Sequence, residues 1–182
     1  MLSVQQIVSG GQTGVDRAAL DIAIRYNIPH GGWCPKGRLA EDGTLPPQYN
    51  LEETDSATWD ERTRLNIRDS DATLVLINAL PVRVTDGTQL TISEAKRINK
   101  PLLVIDIPHS VILDNQKLLH LNHMDAVVAY VSNWLLKYKV KTLNIAGPRA
   151  SQCPDIYQHT FGFLSQCFDY EIKEAEKNHL TL

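Results

Sequence analysis

Apolar and polar positions follow two rhythms along the chain: short β-branched runs, and longer stretches with an apolar residue every three or four positions. The two rhythms alternate. Residues 4–8 form a strand-like run, and beyond a glycine-rich interval Val15, Ala18, Ala19, Ile22, Ala23 and Tyr26 recur at helical spacing. Pro29 stops this helix, because proline removes a backbone donor and restricts the residue before it. Residues 28–33 read as a second strand. Residues 34–50 are irregular, broken by Pro35, Gly37, Gly43, Pro46 and Pro47, and carry Lys36, Arg38, Glu41 and Asp42. A loop that long is either functional or a solvated excursion. Residues 52–71 read as a helix capped at Asp55 or Ser56. Its side bearing Trp59, Arg62, Asn66 and Asp69 is unusually polar, and so is either exposed or part of a pocket wall.

Residues 72–78 are continuously apolar, as in a central strand buried on both faces. A loop through Pro81 leads to Asp86-Gly87-Thr88 and a helix to about residue 99, with Leu90, Ile92, Ala95 and Ile98 on its apolar side. Pro101 ends it, and residues 102–107 form a fourth strand. A polar connection, a helix over residues 124–137 and a fifth strand over 142–146 follow, then Gly147-Pro148-Arg149-Ala150-Ser151. The last helix runs from about residue 154 past Tyr170 and fades into a charged tail, residues 171–177. Strands alternating with helices imply a doubly wound, mostly parallel Rossmann-like α/β sheet with helices on both faces, as one domain over residues 1–182. Ligands of such sheets bind beyond the carboxyl ends of the strands, so the three glycine turns should meet on one rim.

Composition narrows the picture. The 182 residues are 43% hydrophobic and 21% charged, with no run approaching the ~20 apolar residues of a membrane span. The N-terminus lacks an export-signal pattern, so a cytoplasmic protein with no membrane partner is expected. A net charge of −3 argues against nucleic acid as a partner. Cys34, Cys153 and Cys167 are odd in number and widely spaced, which suits free thiols in packing or surface positions. His120 and His123 are placed to share a helix face, but no third ligand accompanies them and no metal site is expected.

Candidate chemistry lies in the turns. In Ser9-Gly10-Gly11-Gln12-Thr13-Gly14-Val15-Asp16-Arg17, glycines admit a ligand close to the backbone and the helix N-terminus favours an anion such as phosphate. The same residues also permit a cap, with Thr13 at the N-cap and Asp16 three residues on. The spacing is that of neither the dinucleotide fingerprint nor the P-loop. Gly11→Val is expected to abolish binding while leaving the fold intact. Thr88 is placed to cap its helix or to donate its hydroxyl to a phosphate. No Ser-His-Asp order or metal cluster is present, and no catalytic residue is assigned.

The chain resembles the molybdenum-cofactor carrier family of the Rossmann-like SLOG superfamily nearly end to end. The resemblance is carried by Ser9 through Ala19, by Gly31-Gly32-Trp33-Cys34-Pro35-Lys36-Gly37-Arg38 with Ala40-Glu41-Asp42-Gly43, and by Arg62-Thr63, Asn66 and Asp69-Ser70-Asp71. Gly87-Thr88 with Thr91, and Asn144 through Arg149, complete it. It implies a homo-oligomeric carrier of molybdenum cofactor (molybdopterin), with molybdoenzymes as partners. The ligand's phosphate would lie on Gly10, Gly11, Gln12, Thr13, Gly14, Gly87 and Thr88. Lys36, Arg38 and Arg149 would meet its anionic groups, and Asp42 the pterin amino edge. Asp86 stands where the family usually has glycine. Other SLOG branches include phosphoribohydrolases once named lysine decarboxylases, with the motif P-G-G-x-G-T-x-x-E. The alternatives are therefore hydrolysis of a nucleoside monophosphate, with Glu94 as a general acid or base unless it is a solvent-facing helix residue, and a sensor of a nucleotide derivative such as ADP-ribose.

Overall fold

A computed structural model describes residues 2–80 and 86–180; the loop through Pro81 and the Asp86 side chain lie outside the described residues. The chain runs β1 (Gln6–Val8), α1 (Val15–Arg25), β2 (His30–Gly31), β3 (Trp33–Cys34), β4 (Leu39–Ala40), β5 (Gly43–Thr44) and β6 (Glu52–Glu53). It continues through α2 (Trp59–Arg68), β7 (Ala72–Ile77), α3 (Asp86–Arg97), β8 (Leu102–Asp106), β9 (Val111–Asp114) and β10 (Lys117–His120). It ends with α4 (Met124–Lys137), β11 (Thr142–Ala146) and α5 (Ile156–Leu180). One sheet has the order β10-β9-β8-β7-β11-β1-β2. Its strands β2, β1, β11, β7 and β8 are mutually parallel, and β9 and β10 close one edge as an antiparallel hairpin. This is the doubly wound, mostly parallel architecture expected from the alternation of elements.

The central strands are largely apolar because both faces are covered. Alternate residues point to opposite sides, so Leu74 and Leu76 join one core with Ala19, Ile22, Val131 and Phe163 from α1, α4 and α5. Val75 and Ile77 join the other with Ile67 and Ala95 from α2 and α3. The chain leaves β1 through α1 toward β2, and leaves β7 through α3 toward β8, in opposite directions with β11 between. That reversal opens a crevice at the carboxyl ends of β1, β11 and β7.

Several expectations are corrected. The second strand is split at Gly32, whose φ of +126° is open to glycine and whose added Cβ would meet the Ser9 carbonyl and Asn66 Oδ1. β2 therefore pairs with β1, while β3 pairs with β6 in a separate ribbon. The polar connection after β8 is the hairpin β9–β10, turned by Asn115 and Gln116 at positive φ. His120 thus lies in a strand and His123 at the N-cap of α4, on no common helix face. α2 begins only at Trp59, with Thr58 at its N-cap. α5 continues through the charged tail to Leu180, because Glu, Lys and Ala are strong helix formers. The three cysteines are free and buried, packing groups whose thiols burial pushes above their usual range.

Candidate functional site

A cleft of about 440 Å³ lies at the crevice, lined by residues of all three glycine turns and by α2. Its volume falls within the ~300–1,000 Å³ of pockets for small organic ligands. Gln12 and Asp16 come from the β1–α1 segment, Gly87, Thr88 and Thr91 from α3, and Ala146, Gly147, Arg149 and Gln152 from the segment after β11. Trp59, Arg62 and Thr63 of α2 complete the wall; their spacing of three and four puts them on one helix face. Of the residues singled out in the sequence, Gln12, Gly87, Thr88 and Arg149 line this cleft, whereas Gly10, Gly11, Thr13, Gly14, Lys36 and Arg38 do not.

The first turn is filled by the protein itself. Gly10 lies directly under the Arg62 guanidinium, with no room for a Cβ. Gly11, at φ +77°, backs onto Leu45 and Leu51. Gly14, not Thr13, is the N-cap of α1, with φ 79°. A Cβ there would run into the Pro148 carbonyl, which also accepts the Val15 N–H at 3.3 Å. The glycines thus let two turns and an arginine approach each other. The Gln12 N–H donates to Asp16 Oδ2 at 3.3 Å, and the Thr13 N–H to Gln12 Oε1 at 3.0 Å.

Three other candidate contacts are engaged elsewhere. The Arg38 guanidinium donates to the carbonyls of Leu45, Pro46, Tyr49 and Leu51 at 2.8–3.3 Å, so it ties down the excursion between β4 and β6. Asp42 accepts two hydrogen bonds from Arg17, both at 3.1 Å. Asn66 is buried and embraces Trp33, accepting its N–H at 2.6 Å and donating to its carbonyl at 3.0 Å. Lys36 is exposed on a turn. The excursion is also latched to α1 and α5: Asp21 accepts the hydroxyls of Tyr49 and Tyr157, each at 2.7 Å. Burial and the Asp21 carboxylate push the Tyr49 phenol up to about 12.

Within the cleft the polar groups are unevenly satisfied. Arg62 Nη1 donates to the buried Asp16 carboxylate at 2.8 Å, and its guanidinium rests 5.9 Å from the centroid of the Trp59 ring. Yet Arg62 Nε and Thr88 Oγ1 are buried without a hydrogen-bond partner among the described residues. Thr88 is only 3% exposed and sits inside the first turn of α3 rather than at its cap. Trp59, by contrast, is 36% exposed. Arg149 Nε lies 3.5 Å from Glu41 Oε2. Of the polar side of α2, expected to be exposed or part of a pocket wall, Trp59 and Arg62 line the cleft; Asp16, Asp60, Thr63, Thr91, Ala146, Gly147 and Gln152 line it too without having been assigned as ligand contacts.

Glu94 does not line the cleft. It is buried, and its carboxylate takes hydrogen bonds of 2.7 and 2.9 Å from Arg97, which hold it below the usual carboxylate range. When the hydrolase motif is aligned on Gly87-Thr88, its glutamate falls at Thr91, three residues after Thr88.

Comparison with known proteins follows the same lines. The model of the circularly permutated YpsA SLOG family matches residues 7–168. A crystal structure from Syntrophus aciditrophicus SB, named "Putative molybdenum carrier protein", is 40% identical in sequence, with a TM-score of 0.79 over 91% of this chain and 95% of that one. No curated protein matches the chain. With both the fold and most of the sequence matched, the chain belongs to the circularly permutated YpsA SLOG family.

Proposed function

We propose that this protein binds and carries a phosphorylated planar ligand of the molybdopterin type in the cleft beyond β1, β7 and β11. The observation that carries this reading is the buried Thr88 hydroxyl on the cleft wall, which, like Arg62 Nε on the same wall, has no hydrogen-bond partner among the described residues. Such a group costs ~1–3 kcal/mol when unsatisfied, a cost explained if a ligand oxygen completes it. Trp59 adds an exposed aromatic surface on the same wall, suited to a flat heterocycle. Arg62 and Arg149 supply guanidinium groups of the kind that recognise phosphate.

The name of the Syntrophus protein supports molybdenum-linked cargo. In this reading Gln12, Arg62, Gly87, Thr88 and Arg149 face the ligand, Gly10, Gly11 and Gly14 shape the wall behind it, and molybdoenzymes receive the cargo. Calorimetric titration of the purified protein with molybdopterin species, molybdate, ADP-ribose and nucleoside monophosphates tests it. The expected result is tight binding of the pterin phosphate, recovered unchanged. Release of free base from a nucleoside monophosphate would replace the carrier by a hydrolase, and preference for ADP-ribose would make it a nucleotide sensor.

A further inference from the structure

Beside the cleft, a carboxylate of the chain occupies a nest of donors. β4 and β5 form an antiparallel hairpin whose two tip residues are Glu41 and Asp42. Asp42 turns to Arg17, while Glu41 reaches between the β1–α1 and β11–α5 turns. There its carboxylate accepts the Thr13 hydroxyl, the Ser151 N–H at 3.1 Å and the Ser151 hydroxyl at 2.5 Å, with Arg149 Nε 3.5 Å away. Burial alone would raise the Glu41 pKa, but the Ser151 and Thr13 hydrogen bonds and the Arg149 charge outweigh it and leave the group below its ordinary value.

Two hydroxyls, a backbone N–H and a guanidinium from separate segments form the donor set that recognises a tetrahedral oxyanion. Arg149 belongs to both the nest and the cleft wall, so the nest adjoins the cleft across this side chain. A bare carboxylate is the part of a protein most like such an oxyanion. Glu41 can leave by rotating its side chain alone, since its backbone N–H stays bonded to Gln12 Oε1 at 2.9 Å and its neighbour Asp42 stays bonded to Arg17.

We propose that Thr13, Arg149 and Ser151 form an oxyanion subsite of the cleft, which the Glu41 carboxylate fills until the phosphate or molybdate oxyanion of a ligand displaces it. This deepens the binding reading above and rests on it. Two like charges cannot share the nest, so ligand entry and Glu41 departure are one exchange. If Glu41 holds the nest nine-tenths of the time, removing it raises apparent oxyanion affinity ~10-fold.

The test uses inorganic phosphate and molybdate as separate probes, by calorimetry and thermal shift, on wild type, Glu41→Ala, Glu41→Gln, and each combined with Arg149→Ala. Expected are a gain of about 10-fold for the Glu41 variants over wild type and its loss in the double variants. Whichever probe gains more names the oxyanion. Unchanged affinity without Glu41, or a gain that survives Arg149→Ala, overturns the proposal. Should Glu41→Ala fail to fold, Glu41→Gln keeps the size of the side chain and carries the comparison. If wild type binds no pterin phosphate while the Glu41 variants gain oxyanion affinity, the carrier reading falls and the subsite stands. Tight pterin-phosphate binding with no such gain removes only the subsite.

Discussion

Two glycine turns that look alike in sequence behave in opposite ways. Around Gly14 the space and part of the donors are taken by the protein: Pro148 presses on the glycine, Arg62 covers Gly10, and Asp16 and Gln12 accept the N–H groups of Gln12 and Thr13. Around Gly87, among the described residues, nothing lies within 4 Å of an added Cβ and the neighbouring Thr88 hydroxyl has no partner. A glycine string thus marks close approach, which another part of the chain satisfies as readily as a ligand does. An unsatisfied polar atom that also lines a cleft is the better guide to where a ligand belongs.

The contrast breaks most visibly at Gly14. Gly14→Ala places a side chain at φ 79° and against a carbonyl, combining backbone strain and overpacking of ~1–3 kcal/mol each. A fall in melting temperature on the order of 10 °C is expected for a chain of this size, with loss of binding following only from loss of fold. Gly11→Val belongs to the same class, because its side chain would meet Leu45 and Leu51 at a positive φ. The expectation that it would spare the fold is therefore withdrawn.

Arg62→Ala comes next. It strands the buried Asp16 carboxylate, at a cost of ~3 kcal/mol, and a urea titration should show the midpoint shift. Gly87→Ala should do the reverse for stability, gaining ~0.5–1 kcal/mol in the first turn of α3. Its methyl should nevertheless weaken ligand binding, which separates the two turns in a single pair of variants. Acid gives the smallest effect. The Glu41 pKa is depressed in the fold, so its contribution is present above the ordinary value near 4.5 and is lost as pH falls through the folded value. Glu41→Gln should flatten that part of the stability profile.

The centre of the sheet was legible because β7 and β8 are long, largely apolar runs and α1 and α4 are amphipathic over about three turns or more. β11 and α4 match their expected bounds, and β7 differs by one residue. What was not legible depends on contacts distant in sequence. β3 and β6 are two-residue strands defined only by pairing with each other, too short for any periodicity. The β9–β10 hairpin turns on Asn115-Gln116, without the Asn-Gly that usually announces such a turn. At the site, the meeting of three turns followed from topology, but the engagement of Arg38 with four carbonyls and of Asn66 with Trp33 did not. A side chain's type says what it is able to bind, and only packing says whether it is already bound.

Thr88→Val is the most direct test of the account, because it removes the unpartnered hydroxyl and keeps the shape. Melting temperature and pterin-phosphate affinity should be measured on the same preparation as wild type. The account predicts equal or higher stability together with affinity lowered ~5- to 10-fold, the equivalent of one ~1 kcal/mol hydrogen bond to the ligand. Unchanged affinity, or a loss that only tracks lowered stability, would contradict it.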